Sequence, residues 1–220
     1  MKQILLIILL YSALGFASGP DRSAAGARRV DYRYAPDWQV ATPAFPDDSC
    51  KTLVGPLGQL LYDYGGRTFY TYALEKGFRT VIHFLADEGE KFTTQQLRSA
   101  RIPLVETDAS YLDMVVRQET FSVAADYMEK GISTSKGNRE DVVLTTVTNP
   151  TAEDRVIHPL VIINSDHPVA VEGGRIRIGG RNAFYVSEPI VRVRKNLGDF
   201  KTIVHLAPVT VKAGQRKVLA

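Results

Sequence analysis

Apolar and polar residues alternate in short runs along most of this chain. The clearest case is Val142–Ile163, VVLTTVTNPTAEDRVIHPLVII, where two runs rich in Val, Ile, Leu and Thr flank the polar connector NPTAEDR. β-Branched side chains suit a pleated, half-buried surface. Asn149-Pro150 starts a turn, because proline fixes φ and removes a backbone donor. The pattern predicts strand, turn, strand.

The same pattern recurs on both sides of it. Thr68–Leu74 and Thr80–Ala86, separated by Lys76-Gly77, predict a hairpin. Thr80–Ala86 is apolar on both faces, as a central strand between two layers needs. Ile102–Glu106, Leu112–Glu119 and Phe121–Ala125 read as further strands, with Leu112, Met114 and Val116 on a buried face. Thr94–Ala100 is the one stretch predicted as a helical turn. Later strands are predicted at Arg175–Ile178, Ala183–Val186, Ile190–Val193, Thr202–Leu206, Val209–Val211 and Arg216–Leu219. Glycine pairs, Glu188-Pro189 and Asn196-Leu197-Gly198 punctuate them. Many short strands without long helices predict an all-β, antiparallel two-layer sandwich of roughly ten or more strands.

The N-terminus departs from this pattern. Lys2 precedes the apolar run ILLIILLYSALGFA, which ends in small residues at Gly15 and Ala17. This is the form of a secretory signal, with cleavage expected after Ala17 and the product secreted or periplasmic. Residues 18–35 are rich in Gly, Ser, Ala and Arg and read as a flexible lead-in; residues 36–220 form the sandwich domain. Beyond the leader no segment is apolar and long enough to cross a membrane as a helix. The chain stops inside the last predicted strand, as a piece of a longer enzyme would.

The 220 residues are 45% hydrophobic and 23% charged, enough for a sizeable core. The net charge of +3 falls to +2 once Lys2 leaves with the leader, and the charges are interspersed, so nucleic acid is not an expected partner. Cys50 is the single cysteine, so no internal disulfide forms and the fold rests on burial. No cofactor motif is present: the glycine-rich EGGRIRIGGR (Glu172–Arg181) lacks a Lys-Ser/Thr ending and reads as two turns around a short strand.

Candidate chemistry is sparse. His83, His158, His167 and His205 show no metal-site spacing, and Asp87-Glu88-Gly89-Glu90 matches no calcium loop, reading instead as a solvated turn. Glycoside cleavage needs two opposed carboxylates, and the sequence pairs none of its many acids. Aromatics cluster early, and exposed aromatic faces stack on sugar rings. Trp38, Tyr70 and Tyr72 are the candidate carbohydrate contacts, Tyr70 and Tyr72 being two apart on a predicted strand.

Three passages carry a resemblance: Ala100–Val123 (ARIPLVETDASYLDMVVRQETFSV), Val142–Ile163, and Val204–Ala220 (VHLAPVTVKAGQRKVLA). Together they resemble the N-terminal β-sandwich, or supersandwich, of secreted bacterial glycoside hydrolases that carry an (α/α)6 barrel. In that family the middle passage is a hairpin, the catalytic carboxylates lie in the barrel, and the sandwich packs against it. The resemblance implies an exported, non-catalytic module, structural or carbohydrate-contacting, whose partner is a catalytic barrel domain or chain, with polysaccharide as a ligand. The other readings are a free-standing carbohydrate-binding or surface-interaction protein, and a small polysaccharide hydrolase or lyase with carboxylates on one sheet face.

Overall fold

The structure, a computed structural model, describes residues 41–43, 52–64, 77–99, 102–124, 139–196 and 200–220. Among these the regular elements are all strands: β1 (Leu53–Val54), β2 (Leu60–Tyr64), β3 (Phe78–Leu85), β4 (Lys91–Ser99), β5 (Ile102–Tyr111), β6 (Met114–Ala124), β7 (Arg139–Thr148) and β8 (Arg155–Ile157). The second half adds β9 (Leu160–Ser165), β10 (Val169–Glu172), β11 (Arg175–Ile178), β12 (Arg181–Tyr185), β13 (Ile190–Asn196), β14 (Lys201–Leu206), β15 (Val209–Val211) and β16 (Arg216–Leu219).

The expected all-β sandwich is what forms. A six-stranded sheet runs β1-β2-β3-β9-β14-β13, and a five-stranded sheet runs β16-β7-β6-β5-β4, all pairs antiparallel. A three-stranded sheet (β10–β12) and a β15–β8 pair complete it. The main core joins Leu60, Ile82, Val161, Ile163 and Val204 of the large sheet to Val105 of the five-stranded sheet and Ile176 of the small one. Alternation drives this: in β14 the burial pattern changes at every residue, with Thr202, Val204 and Leu206 inside. A second core packs Ala109, Met114, Val116 and Val147 against Ile157, Val209 and Val211.

Polar side chains also tie the layers. Asp141 on β7 accepts hydrogen bonds from the Tyr62 hydroxyl of β2 at 3.1 Å, from Ser122 at 2.6 Å and from Thr52. Gln95 and Gln118 of the five-stranded sheet donate to the carbonyls of Gly55 and Gly58, at 2.7 and 2.8 Å. Gly58 has φ +80, which favours glycine, and a Cβ there would press on the Gln118 amide at 2.9 Å.

Four sequence expectations change. The NPTAEDR connector does turn, but it is not a hairpin. β7 belongs to the five-stranded sheet, β8 pairs with β15, and β9 lies in the six-stranded sheet, so the connector carries the chain between layers. Asn149 holds the turn: its Nδ2 donates to the Glu153 and Val211 carbonyls at 2.7 and 3.0 Å, and its Oδ1 accepts from Thr151 N and Oγ1. Thr94–Ala100 is expected as a helical turn, but its described part, Thr94–Ser99, belongs to β4. Two register shifts, at Phe92/Thr94 and Leu97/Ser99, break its period-2 pattern and hide the strand from the sequence. β3 pairs with β2 and β9; the other half of the predicted hairpin, Thr68–Leu74, lies outside the described residues.

The third concerns Leu112, and the fourth the strands on either side of Thr120. Instead of starting a buried face, it sits with Asp113 at the two-residue tip between β5 and β6, 68% exposed and at φ +51. The two strands expected on either side of Thr120 are one strand, β6.

Candidate functional site

Trp38, Tyr70 and Tyr72 lie outside the described residues, as does Cys50. The described residues place a different set of polar groups together, on the face of the five-stranded sheet opposite Val105, Thr107 and Ala109.

Strand pairing builds this set. Counting outward from the Tyr111–Met114 pair that closes the β5–β6 hairpin, Asp108 falls opposite Arg117 and Glu106 opposite Glu119; β4 brings Gln96 opposite Glu106. Directly opposed residues share a face with Cβ atoms about 5 Å apart. Two glutamates placed so repel, and Arg98 of β4 resolves the conflict. Its Nε donates to Glu106 Oε1 at 2.8 Å and its Nη2 donates to Glu119 Oε1. Gln96 Nε2 donates to the other oxygen of Glu106 at 3.0 Å.

One step along the hairpin, Arg117 grips Asp108 with two parallel bonds, Nε to Oδ1 at 2.7 Å and Nη2 to Oδ2 at 3.1 Å. Thr94 adds a third contact to Asp108. The Asp108 hydrogen bond raises the Arg117 guanidinium above its ordinary pKa, against burial. For Arg98, burial works to lower the pKa, but bonding to Glu106 and the charge of Glu119 prevail and raise it.

The result is a platform of alternating guanidinium and carboxylate groups on rigid strands. Glu106 is 7% exposed, while Arg98 and Arg117 keep 39% and 48% of their side-chain surface. Guanidinium edges and carboxylate lone pairs left over can bind a ligand rich in hydroxyls, which both donate and accept. The sequence held part of the signal: reading the turn at Leu112-Asp113 fixes the Asp108–Arg117 and Glu106–Glu119 pairs, whereas Gln96 and Arg98 depend on the bulged register of β4.

A second polar cluster lies at the turn between β3 and β4. Asp87 and Glu90 were expected in a solvated loop, and both are largely buried instead. The Asp87 carboxylate accepts from the His158 backbone N–H at 3.0 Å and faces His158 Nδ1 at 3.3 Å. Burial, then the Asp87 charge and a hydrogen bond to it, raise the Tyr111 hydroxyl pKa. Glu90 accepts from the Ala86 N–H. Burial pushes its carboxyl from 4.5 up to about 7, against the backbone bonds that favour its charged form. Among the described residues no group of three or more His, Cys, Asp or Glu is arranged to hold a metal ion.

The histidines take separate places. His83 keeps some ring surface but stacks on Phe92 at 5.3 Å and bonds the Leu57 carbonyl at 3.0 Å; burial lowers its pKa to about 4 despite that bond. His167 approaches Asp63 at 3.9 Å. EGGRIRIGGR forms two turns around β11, as expected, with Gly173 and Gly180 at positive φ.

An apolar pocket between the layers is lined by Phe84, Val143, Val186, Leu206 and Leu219. Its volume of about 30 Å3 fits a water or two, against the roughly 300–1,000 Å3 of small-molecule sites.

Compared with known proteins, the chain matches no protein-family model, no curated protein and no solved structure.

Proposed function

We propose that this chain is an exported β-sandwich module of a glycoside-hydrolase-type protein, non-catalytic on its own, and that it contacts carbohydrate through the face of its five-stranded sheet. The observation that carries this reading is the Arg98–Glu106–Glu119 and Arg117–Asp108 network. Its members are fixed by strand register and by each other, which limits the entropy lost when a glycan binds. The sequence resemblance supplies the setting: a sandwich that packs beside a catalytic barrel, polysaccharide within reach of both.

Glu106 and Glu119 also favour a second reading, the hydrolase with carboxylates on a sheet face, because they oppose each other. Arg98 weighs against it. Its guanidinium occupies the space between the two carboxylates, where a scissile glycosidic bond would have to lie.

The test is retention in native gels cast with a panel of polysaccharides. The chain is expected to be slowed by at least one of them, and Arg117→Ala to lose most of that retardation while staying folded by circular dichroism. Unchanged retardation in Arg117→Ala, or free migration in every gel, refutes carbohydrate contact at this face.

A further inference from the structure

One surface of the large sheet is not used by the reading above. β13 is the edge strand of the six-stranded sheet. Its Arg192 and Arg194 pair with His205 and Ile203 of β14, which pair in turn with Leu160 and Ile162 of β9. Lys201, next along β14, pairs with Asn164. Opposed residues share a face, so these side chains stand in three adjacent rows. The burial pattern of β14 shows that this is the face away from the core: Lys201, Ile203 and His205 are half-buried where Thr202, Val204 and Leu206 are buried.

Three features of these rows point to a ligand. The rows hold cations and no carboxylate, with Arg192 and Arg194 exposed. The cations border the half-exposed aliphatics Ile203 and Ile162. Beside Arg192, the His205 Nε2 atom is buried without a hydrogen-bond partner among the described residues. A buried polar atom of this kind is paired in most proteins, by protein, water or ligand.

We infer that the outer face of β13–β14 is a binding site for an acidic polysaccharide, in which Arg192, Arg194 and Lys201 hold sugar carboxylates. This rests on the carbohydrate-contact reading and names the substrate class at a second face. Arg192 and Arg194 are two residues apart on a strand, about 6.6 Å, so their guanidinium forks reach carboxylates on successive acidic units of one chain. Ile203 and Ile162 offer apolar surface to the C–H face of a sugar ring. Charge on an edge strand also deters strand-to-strand aggregation. That role needs neither the cation on the inner neighbour β14 nor the unpaired imidazole nitrogen. A nucleic acid fits less well. Three cations neutralise few phosphates, and the rows contain no Phe, Tyr or Trp on which bases would stack.

The experiment measures binding of the full chain to a soluble polyuronate and to the same polymer after its carboxyls are reduced to alcohols, at about 50 and 200 mM salt. Expected are binding to the polyuronate that weakens with salt, and about tenfold weaker binding to the reduced polymer. Arg192→Gln/Arg194→Gln should lose about tenfold for the polyuronate alone. Arg175→Gln/Arg181→Gln, on the three-stranded sheet, is the control and should keep wild-type affinity. Equal affinity for charged and reduced polymers overturns the inference and leaves carbohydrate contact standing. So does unchanged affinity in the Arg192/Arg194 variant, or an equal loss in the control. Binding to neither polymer overturns the inference, while the gel panel with Arg117→Ala decides the broader reading separately.

Discussion

Replacing Asn149 by alanine should loosen the passage between the two layers. The residue is fully buried and its side chain makes four hydrogen bonds within the NPTAEDR turn and to β15. The loss falls unevenly. The Glu153 carbonyl lies near the surface and regains water, whereas the Val211 carbonyl is buried and is left with a lost donor, a cost of roughly 1–3 kcal/mol. The two bonds from Thr151 add about 0.5–1.5 kcal/mol each. The total is about 3 kcal/mol. At about 2 kcal/mol per molar urea, the unfolding midpoint should fall by about 1.5 M. Asn149→Asp separates this account from simple loss of packing. It keeps the acceptor for Thr151 but turns a carboxylate oxygen toward two carbonyls, so at pH 7 it should be at least about 1 kcal/mol worse than alanine. The difference should shrink as pH falls through the raised pKa of the buried acid and be smallest by about pH 4, where the protonated acid can donate one bond. A midpoint shift under about 0.5 M for Asn149→Ala, or an aspartate variant more stable than alanine at pH 7, refutes the reasoning.

Other consequences can be checked by the same unfolding assay. Arg98→Ala leaves Glu106 and Glu119 opposed without the cation bonded to both and should cost about 2 kcal/mol; adding Glu119→Gln should recover at least half of it, and additive losses would contradict the coupling. Leu112→Asn relieves a left-handed backbone at an exposed tip and should stabilise by about 1 kcal/mol, read as a rise of a few degrees in Tm; a fall in Tm argues against strain there. Glu90 has a folded pKa of about 7 against 4.5, so its contribution is fully present below pH 4.5 and is lost as pH rises through about 7. Glu90→Gln keeps the acceptor for Ala86 and should hold its stability across that window while the wild type declines; parallel curves would show that Glu90 is ionised in the fold. His83 should titrate by NMR near pH 4, and a midpoint near 6.5 would contradict its burial.

Much of the fold was legible because period-2 alternation is a local signal. β11, β14, β15 and β16 stand where Arg175–Ile178, Thr202–Leu206, Val209–Val211 and Arg216–Leu219 placed them. Layer membership was not legible. Nothing local in NPTAEDR distinguishes a hairpin from a crossover, since Asn149 is satisfied by Val211, a contact across 62 residues. β4 escaped notice because two bulges interrupt its alternation. The β5–β6 half of the polar platform follows from a second unrecognised feature, a turn whose tip carries leucine in place of the Asn or Gly that usually marks it. The burial of Asp87 in the run Asp87-Glu88-Gly89-Glu90 brings it against Tyr111 and His158, which no spacing rule places near it.

The most direct test of the central claim is a reducing-end assay on the purified full chain, with the polysaccharides that retard it. The network of fixed carboxylates predicts retention without release of new reducing ends, for wild type and for Glu106→Gln and Glu119→Gln alike. Turnover by the wild type that disappears in either glutamine variant would contradict it, and would make the sheet face an active site.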